Sequence, residues 1–173
     1  IQNHRLYMQN RRMSLFVGLS DGSRIDQFRR DSNLNNEQVI ATYSISDGKA
    51  EEMLDKLRQE IPESKFKTVF LIDDFTASGN TYCRPDGGGK LGKIFSSIFN
   101  KGETFYPAVD HENLEVHILF YIATTQAMQN IKTGIDNWKQ NHNCDFICTV
   151  DCLLSIDDTA KNKITSDTEM MAF

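Results

Sequence analysis

Val69-Phe70-Leu71-Ile72-Asp73-Asp74-Phe75-Thr76-Ala77-Ser78-Gly79-Asn80-Thr81 is the stretch whose reading decides the fold. Apolar residues lead into two adjacent acids, and a loop of small hydroxyl residues with one glycine follows. An uninterrupted apolar run of this kind suits a strand buried on both faces, as in a parallel α/β sheet. Ligands of such sheets sit beyond the carboxyl ends of the strands, which is where the acids and the hydroxyl loop are expected. Thr, Ser and Gly are small enough for the backbone to approach an anion and aim several N–H and O–H donors at it. Adjacent carboxylates accept hydrogen bonds from vicinal hydroxyls. The stretch therefore reads as a socket for a pentose bearing a 5′-phosphate. The plainer alternative is a buried strand ending in a capped turn.

Outward from this stretch, apolar runs and helical periodicities alternate. Residues 3–12 read as a polar, basic helix or arm, and residues 14–19 as the first strand, stopped by Ser20-Asp21-Gly22-Ser23. A short helix over 24–30 and a second strand over 38–43 follow. Ser46-Asp47-Gly48 opens a helix to about Ile61, with Met53, Leu54, Leu57 and Ile61 on one face. The third strand, 67–72, leads into the socket. Pro85-Asp86-Gly87-Gly88-Gly89 is a loop, and Leu91, Ile94, Phe95, Ile98 and Phe99 mark the inner face of a helix over 90–100. A fourth strand over 114–123, a helix from the Thr124-Thr125 cap to about Asn141 and a fifth strand over 145–154 complete the pattern. Strands alternating with helices at this spacing imply βαβ units. The expected fold is a three-layer α/β domain, a mainly parallel five-stranded sheet flanked by helices.

The chain has 173 residues, 39% hydrophobic and 25% charged, enough for one domain, 1–173, with a sizeable core. The missing initial Met and the apolar end Met170-Met171-Ala172-Phe173 point to a segment of a longer protein. The longest apolar runs are too short to span a bilayer and no secretory signal pattern is present, so the expectation is a cytoplasmic chain with no membrane partner. The net charge of −5 argues against nonspecific nucleic-acid binding by the whole surface. Charge is uneven, however: six arginines and two aspartates fall in residues 1–30. Those arginines suit ligand phosphates, a nucleic-acid partner or a solvated helix face. Cys83, Cys144, Cys148 and Cys152 read as buried free thiols, and His117 as a satisfied polar residue of the fourth strand.

The central stretch resembles the ribose-phosphate loop of the type I phosphoribosyltransferases: a hydrophobic strand, Asp-Asp, three variable residues, Ser or Thr, Gly, any residue and Thr. The resemblance implies that Asp73 and Asp74 are the catalytic pair, holding the ribose hydroxyls and accompanying Mg²⁺. It implies that Thr76, Ala77, Ser78, Gly79, Asn80 and Thr81 wrap the 5′-phosphate. The family's pyrophosphate loop follows the first strand, so Asp21, Gly22 and Arg24 are expected at the leaving group. Two departures stand out. The interval between the second and third strands, where the family carries a basic lid, reads as a helix, and Tyr82-Cys83-Arg84-Pro85 delays the helix after the socket.

More widely, residues 16–30, then Asn36-Glu37-Gln38-Val39, then the socket, are similar to a divergent phosphoribosyltransferase-like group found beside bacterial conflict genes, including retron antiphage systems. This implies an effector that binds phosphoribosyl pyrophosphate or a nucleotide, with Mg²⁺, and acts at ribose C1. It also implies a protein or nucleic-acid defence complex as partner, with homo-oligomers allowed. The alternative is a sensing or partner-binding module of the same fold that has lost turnover.

Overall fold

The computed structural model describes residues 2–42, 47–84 and 88–157. Apolar runs set five strands side by side: β1 (Ser14–Gly18), β2 (Val39–Ile40), β3 (Thr68–Thr76), β4 (Glu115–Thr124) and β5 (Ile147–Ile156). Every neighbouring pair is parallel, and the spatial order is β2-β1-β3-β4-β5. The helices are α1 (Gln2–Arg12), α2 (Ile25–Asp31), α3 (Asp47–Glu60), α4 (Lys90–Phe99) and α5 (Thr125–His142). The expected three-layer α/β architecture is thus the observed one. The expected loop at Pro85, Asp86 and Gly87, the Ser46 start of α3 and the Met170–Phe173 end lie outside the described residues.

The two faces of the sheet are unequal. Leu15, Val17, Val69, Leu71, Val116, Ile118 and Val150 point into the larger core, packed by Met53 and Leu57 of α3, Leu91 and Phe95 of α4, and Ile131 and Trp138 of α5. The other face carries a smaller cluster, where Phe16 and Ile72 meet Ile25 of α2, with Phe28 packed alongside. The aromatic ring of Phe16 stacks on Phe70 at 4.9 Å. Beyond α2 the outer rows of β4 and β5 open to solvent, and Leu153 is 84% exposed. Among the described residues no helix is long and apolar enough to cross a membrane.

Two boundaries differ from the sequence reading in ways that matter. β2 is two residues long, an edge strand that pairs only Val39 and Ile40 with Phe16 and Val17. β3 runs on through Asp73 and Asp74 to Thr76, with Asp73 aligned with Phe120 and Thr76 with Ala123. The apolar run ends at Ile72, yet a sheet ladder needs only backbone groups. The acids therefore lie inside the strand, not beyond it.

The four cysteines are free and partly buried. Burial pushes the Cys83 thiol up to about 11 and that of Cys148 up to about 12. His117 bonds Thr149 Oγ1 through Nδ1 at 2.9 Å and approaches Glu115 through Nε2 at 3.4 Å.

Cys83 also fixes how closely α5 approaches the loop after β3. A β-carbon at Gly134 would lie 2.3 Å from Cys83 Cβ and 2.6 Å from its sulfur. Gly134→Ala therefore sets a helix-propensity gain of about 1 kcal/mol against overpacking of about 1–3 kcal/mol. Net destabilisation is expected, read as a Tm lowered by a few degrees, with recovery in the Gly134→Ala, Cys83→Gly double variant. A Gly134→Ala protein more stable than the parent would show that the helix does not sit this close.

Candidate functional site

The strand order creates one special position. From β1 the chain passes to β2 on one side, and from β3 it passes to β4 on the other. Connections that diverge from adjacent strands leave a crevice at their carboxyl ends, the usual ligand position in open α/β sheets. The loop after β1, residues 19–24, and the loop after β3, residues 77–82, are its two walls.

Asp73 anchors both walls. Side chains alternate along a strand, so Asp73 follows Val69 and Leu71 towards the larger core and is 1% exposed. Its Oδ1 accepts from the Ser20 hydroxyl and from the Asp74 amide at 3.0 Å. Its Oδ2 accepts from the Tyr82 hydroxyl at 2.7 Å and from Lys90 Nζ, at the start of α4, at 3.3 Å. Burial alone would raise the Asp73 carboxyl; the hydrogen bonds from Ser20, Tyr82 and the Asp74 amide, with the Lys90 cation, reverse this and hold it below the usual carboxylate range. Burial and the adjacent carboxylate push the Tyr82 phenol well above its ordinary value, so Tyr82 remains a donor. Lys90 also lies over the Tyr82 ring, 5.1 Å from its centroid.

Asp74 faces the opposite side of the sheet and is exposed. Its Oδ1 accepts from the Phe75 amide at 2.8 Å. The Gly22 backbone lies directly against it: a β-carbon on Gly22 would fall 2.3 Å from Asp74 Oδ2, so any larger residue there would push the carboxylate aside. Arg24 turns the chain with φ 49° and ψ 35°, a left-handed conformation that costs a non-glycine residue about 1–3 kcal/mol. Tyr121 of β4 braces the same loop, donating to the Ser23 carbonyl at 3.0 Å. Burial raises the Tyr121 phenol, the Arg24 cation lowers it and the Asp74 charge raises it, for a net upward shift. Asp74, Arg24 and Tyr121 thus share one electrostatic neighbourhood.

The loop after β3 is tied to itself and to α5. Thr76 is buried, and its hydroxyl accepts from the Gly79 amide at 3.2 Å. Ser78 Oγ accepts from the Asn80 amide at 3.4 Å. The Ala77 carbonyl accepts from Thr124 Oγ1 at 2.7 Å, and the Ser78 carbonyl from Asn130 Nδ2 at 2.9 Å. Thr124 also caps α5 by accepting from the Ala127 amide at 3.0 Å. The carbonyls of Thr81 and Tyr82 take the amides of Lys90 and Leu91, so the first turn of α4 is closed off by the loop. Ser78, Asn80 and Thr81 are exposed.

The structure therefore separates residues that the sequence reading groups together. Asp73 is an internal clamp, because two consecutive strand residues cannot face the same ligand. The expectation of two equivalent acids gives way to one exposed carboxylate, Asp74, beside Asp21, Gly22 and Arg24. Asp73 does not fit as a Mg²⁺ ligand either, since Lys90 already neutralises it and its oxygens are committed. Among the described residues there is no group of three or more His, Cys, Asp or Glu side chains able to hold a metal ion. Asp74 and Asp21 are exposed oxygen donors of the type Mg²⁺ accepts. Thr76 belongs to the wall, whereas Ser78 and Thr81 keep accessible hydroxyls. Tyr82, Lys90 and Tyr121 carry no signal in the sequence; each acts through a partner distant in the chain.

No protein-family model matches the chain. No curated protein matches it either. The crystal structure of TT1426 from Thermus thermophilus is similar, with a TM-score of 0.37 and 13% identity over 87% of this chain and 81% of that one. At that distance the likeness carries no argument about what the chain does.

The Asp73 clamp makes a stability prediction with a defined sign. A carboxyl whose folded-state pKa is depressed stabilises the fold above its unfolded pKa, about 3.9, and loses that contribution as pH falls through the folded value. Tyr82→Phe removes one donor from a buried carboxylate, a loss of about 1–3 kcal/mol. In urea unfolding, the deficit of Tyr82→Phe against the parent should be full at pH 7 and shrink below about pH 4. An equal deficit at pH 7 and pH 3 would assign the loss to the hydroxyl's other bond, to the Phe75 carbonyl at 3.3 Å, instead.

Proposed function

We propose that the crevice between the carboxyl ends of β1 and β3 binds a 5-phosphoribosyl ligand, either phosphoribosyl pyrophosphate or a nucleotide. The observation that carries this reading is the meeting of the two loops at the strand-order switch, where the exposed Asp74 carboxylate lies against Gly22. Asp74 accepts from the ribose hydroxyls through its exposed side. The exposed Ser78 and Thr81 hydroxyls take the 5′-phosphate. Arg24 pairs with the pyrophosphate oxygens. Bound Mg²⁺ would neutralise charge on the pyrophosphate, with Asp74 and Asp21 as its protein oxygens. Asp73 positions the walls through Ser20, Tyr82 and Lys90.

The chemistry suited to such a site is transfer or hydrolysis at ribose C1, a pentosyltransferase type of reaction. The protein's part is to orient the sugar and neutralise the leaving group. The resemblance to phosphoribosyltransferase-like proteins of retron and other conflict systems supports a role as an antiphage effector. A second reading is favoured by one observation: α3 occupies the interval in which the family's basic lid lies. Without a lid to exclude water and complete the leaving-group site, the domain would bind and sense the ligand without turnover.

Thermal unfolding with phosphoribosyl pyrophosphate or AMP, each with MgCl₂, tests binding. A ligand at 100 times its Kd adds about 2.7 kcal/mol, or roughly 5–10 °C in Tm for a chain of this size. Asp74→Asn and the Ser78→Ala, Thr81→Ala pair should abolish most of the shift. Mass spectrometry of the small molecules then separates the readings: released pyrophosphate or free base marks an enzyme, and intact ligand marks a sensor. No shift with either ligand would overturn both.

A further inference from the structure

At the opposite end of the sheet, α1 runs into β1, and its last residue, Arg12, is only 6% exposed. Arg12 Nε donates to Glu60 Oε2 at 2.9 Å. Its two terminal nitrogens, Nη1 and Nη2, are buried and have no hydrogen-bond partner among the described residues. A guanidinium has five N–H donors, and leaving a buried charged donor unpaired costs upwards of about 1–3 kcal/mol. A helix C-terminus favours a nearby cation, but that explains an exposed arginine as well as a buried one.

Arg12 lines a cavity of about 320 Å³ together with Arg5, Arg11, Asn33, Asn35 and Glu60. Three arginines and one carboxylate line it. The frame is braced: Gln38 Nε2 donates to the carbonyls of Arg11 at 2.6 Å and Ser14 at 3.0 Å. Arg11 Nη2 donates to the Ser32 carbonyl and, at 2.9 Å, to that of Asn33. Arg11 and Arg12 are therefore held by a braced helix end, and Arg5 stands earlier on the same helix.

We propose that this cavity is an anion site for the phosphate of a nucleotide, with Arg12 as the inner ligand and Arg5 and Asn35 at the mouth. Forked guanidinium donors match the oxygens of phosphate. With Arg11 tied to backbone carbonyls and Arg12 Nε to Glu60, the donors left for an anion are the terminal nitrogens of Arg12 and the Arg5 guanidinium, a lining whose net charge is positive. The volume falls at the low end of the roughly 300–1,000 Å³ of small-ligand pockets, room for a phosphate with its sugar. β1 separates this cavity from the crevice by roughly 16 Å, at about 3.3 Å per residue. The two sites are independent, and this inference does not rest on the function proposed above.

Calorimetric titration of the full chain with inorganic phosphate, AMP, a twelve-residue single-stranded DNA and acetate tests the site. AMP or the DNA should bind, and Arg5→Ala and Arg12→Met should each weaken that binding at least tenfold. Glu60→Gln should leave binding intact or strengthen it, and Asp74→Asn should leave a binding event that is lost in Arg5→Ala. If Arg12→Met does not fold, Arg5→Ala and Glu60→Gln decide. Equal affinity for AMP and DNA identifies a mononucleotide site. Tighter DNA binding with a steeper salt dependence identifies the same phosphate contact within a strand. Affinity unchanged in Arg5→Ala, acetate binding as tightly as phosphate, or no probe binding the parent chain would each overturn the assignment.

Discussion

The carboxylate of Asp73 is the constraint on which the crevice depends. A single buried charge holds Ser20 from the loop after β1, Tyr82 from the loop after β3 and Lys90 from the start of α4. Each of these groups comes from a different part of the chain, and none can be removed without leaving a buried acceptor short of a donor. The Tyr82 ring also meets Phe120 edge-on at 5.0 Å, so the polar clamp continues into the apolar core. The rigidity of the crevice floor thus comes from electrostatics satisfied in a dry setting, and its walls are fixed relative to each other through one atom pair, Oδ1 and Oδ2.

Much of this architecture is legible in the residues themselves. The alternation of apolar runs and helical faces locates all five strands and the helices between them, because those signals are local. The parallel arrangement follows from the same alternation. The apolar run of β3 stops short of the strand's true end, because its ladder continues through two acids. That continuation is stabilised by Lys90, which is 17 residues away in sequence. Arg12 reads in sequence as part of a polar, basic helix or arm; its partner Glu60 lies 48 residues distant. Tyr121 looks like an ordinary strand residue, and its hydroxyl gains a role only because β4 lies within reach of the loop after β1, 98 residues away. What sequence misses is in each case a polar contact made between distant segments.

The period of the strand decides the chemistry of the site more than its composition does. Two neighbouring acids in a loop can turn to one ligand. The same acids within β3 must face opposite sides, one towards α4 and one towards the loop that carries Gly22. The split assigns them different physical tasks. The buried acid, with a depressed pKa, stays ionised and structural; the exposed one stays hydrated and available. Any ligand at Asp74 would therefore draw the rest of its recognition from the exposed hydroxyls and from Arg24.

Arg24 sharpens that last point. A non-glycine residue in the left-handed region holds about 1–3 kcal/mol of backbone strain, and here it stands between the short turn at Asp21–Ser23 and the first residue of α2. Ser23 is pinned by Tyr121 on one side, and Ile25 is buried against Phe16 on the other. The remaining part of the loop, Ser20–Gly22, is held in turn by the Ser20 hydroxyl bound to Asp73. The loop that meets the exposed acid is thus held by the buried one. In this way two side chains that face opposite sides of the sheet both act on the loop after β1, Asp73 through the Ser20 hydroxyl and Asp74 through its close approach to Gly22.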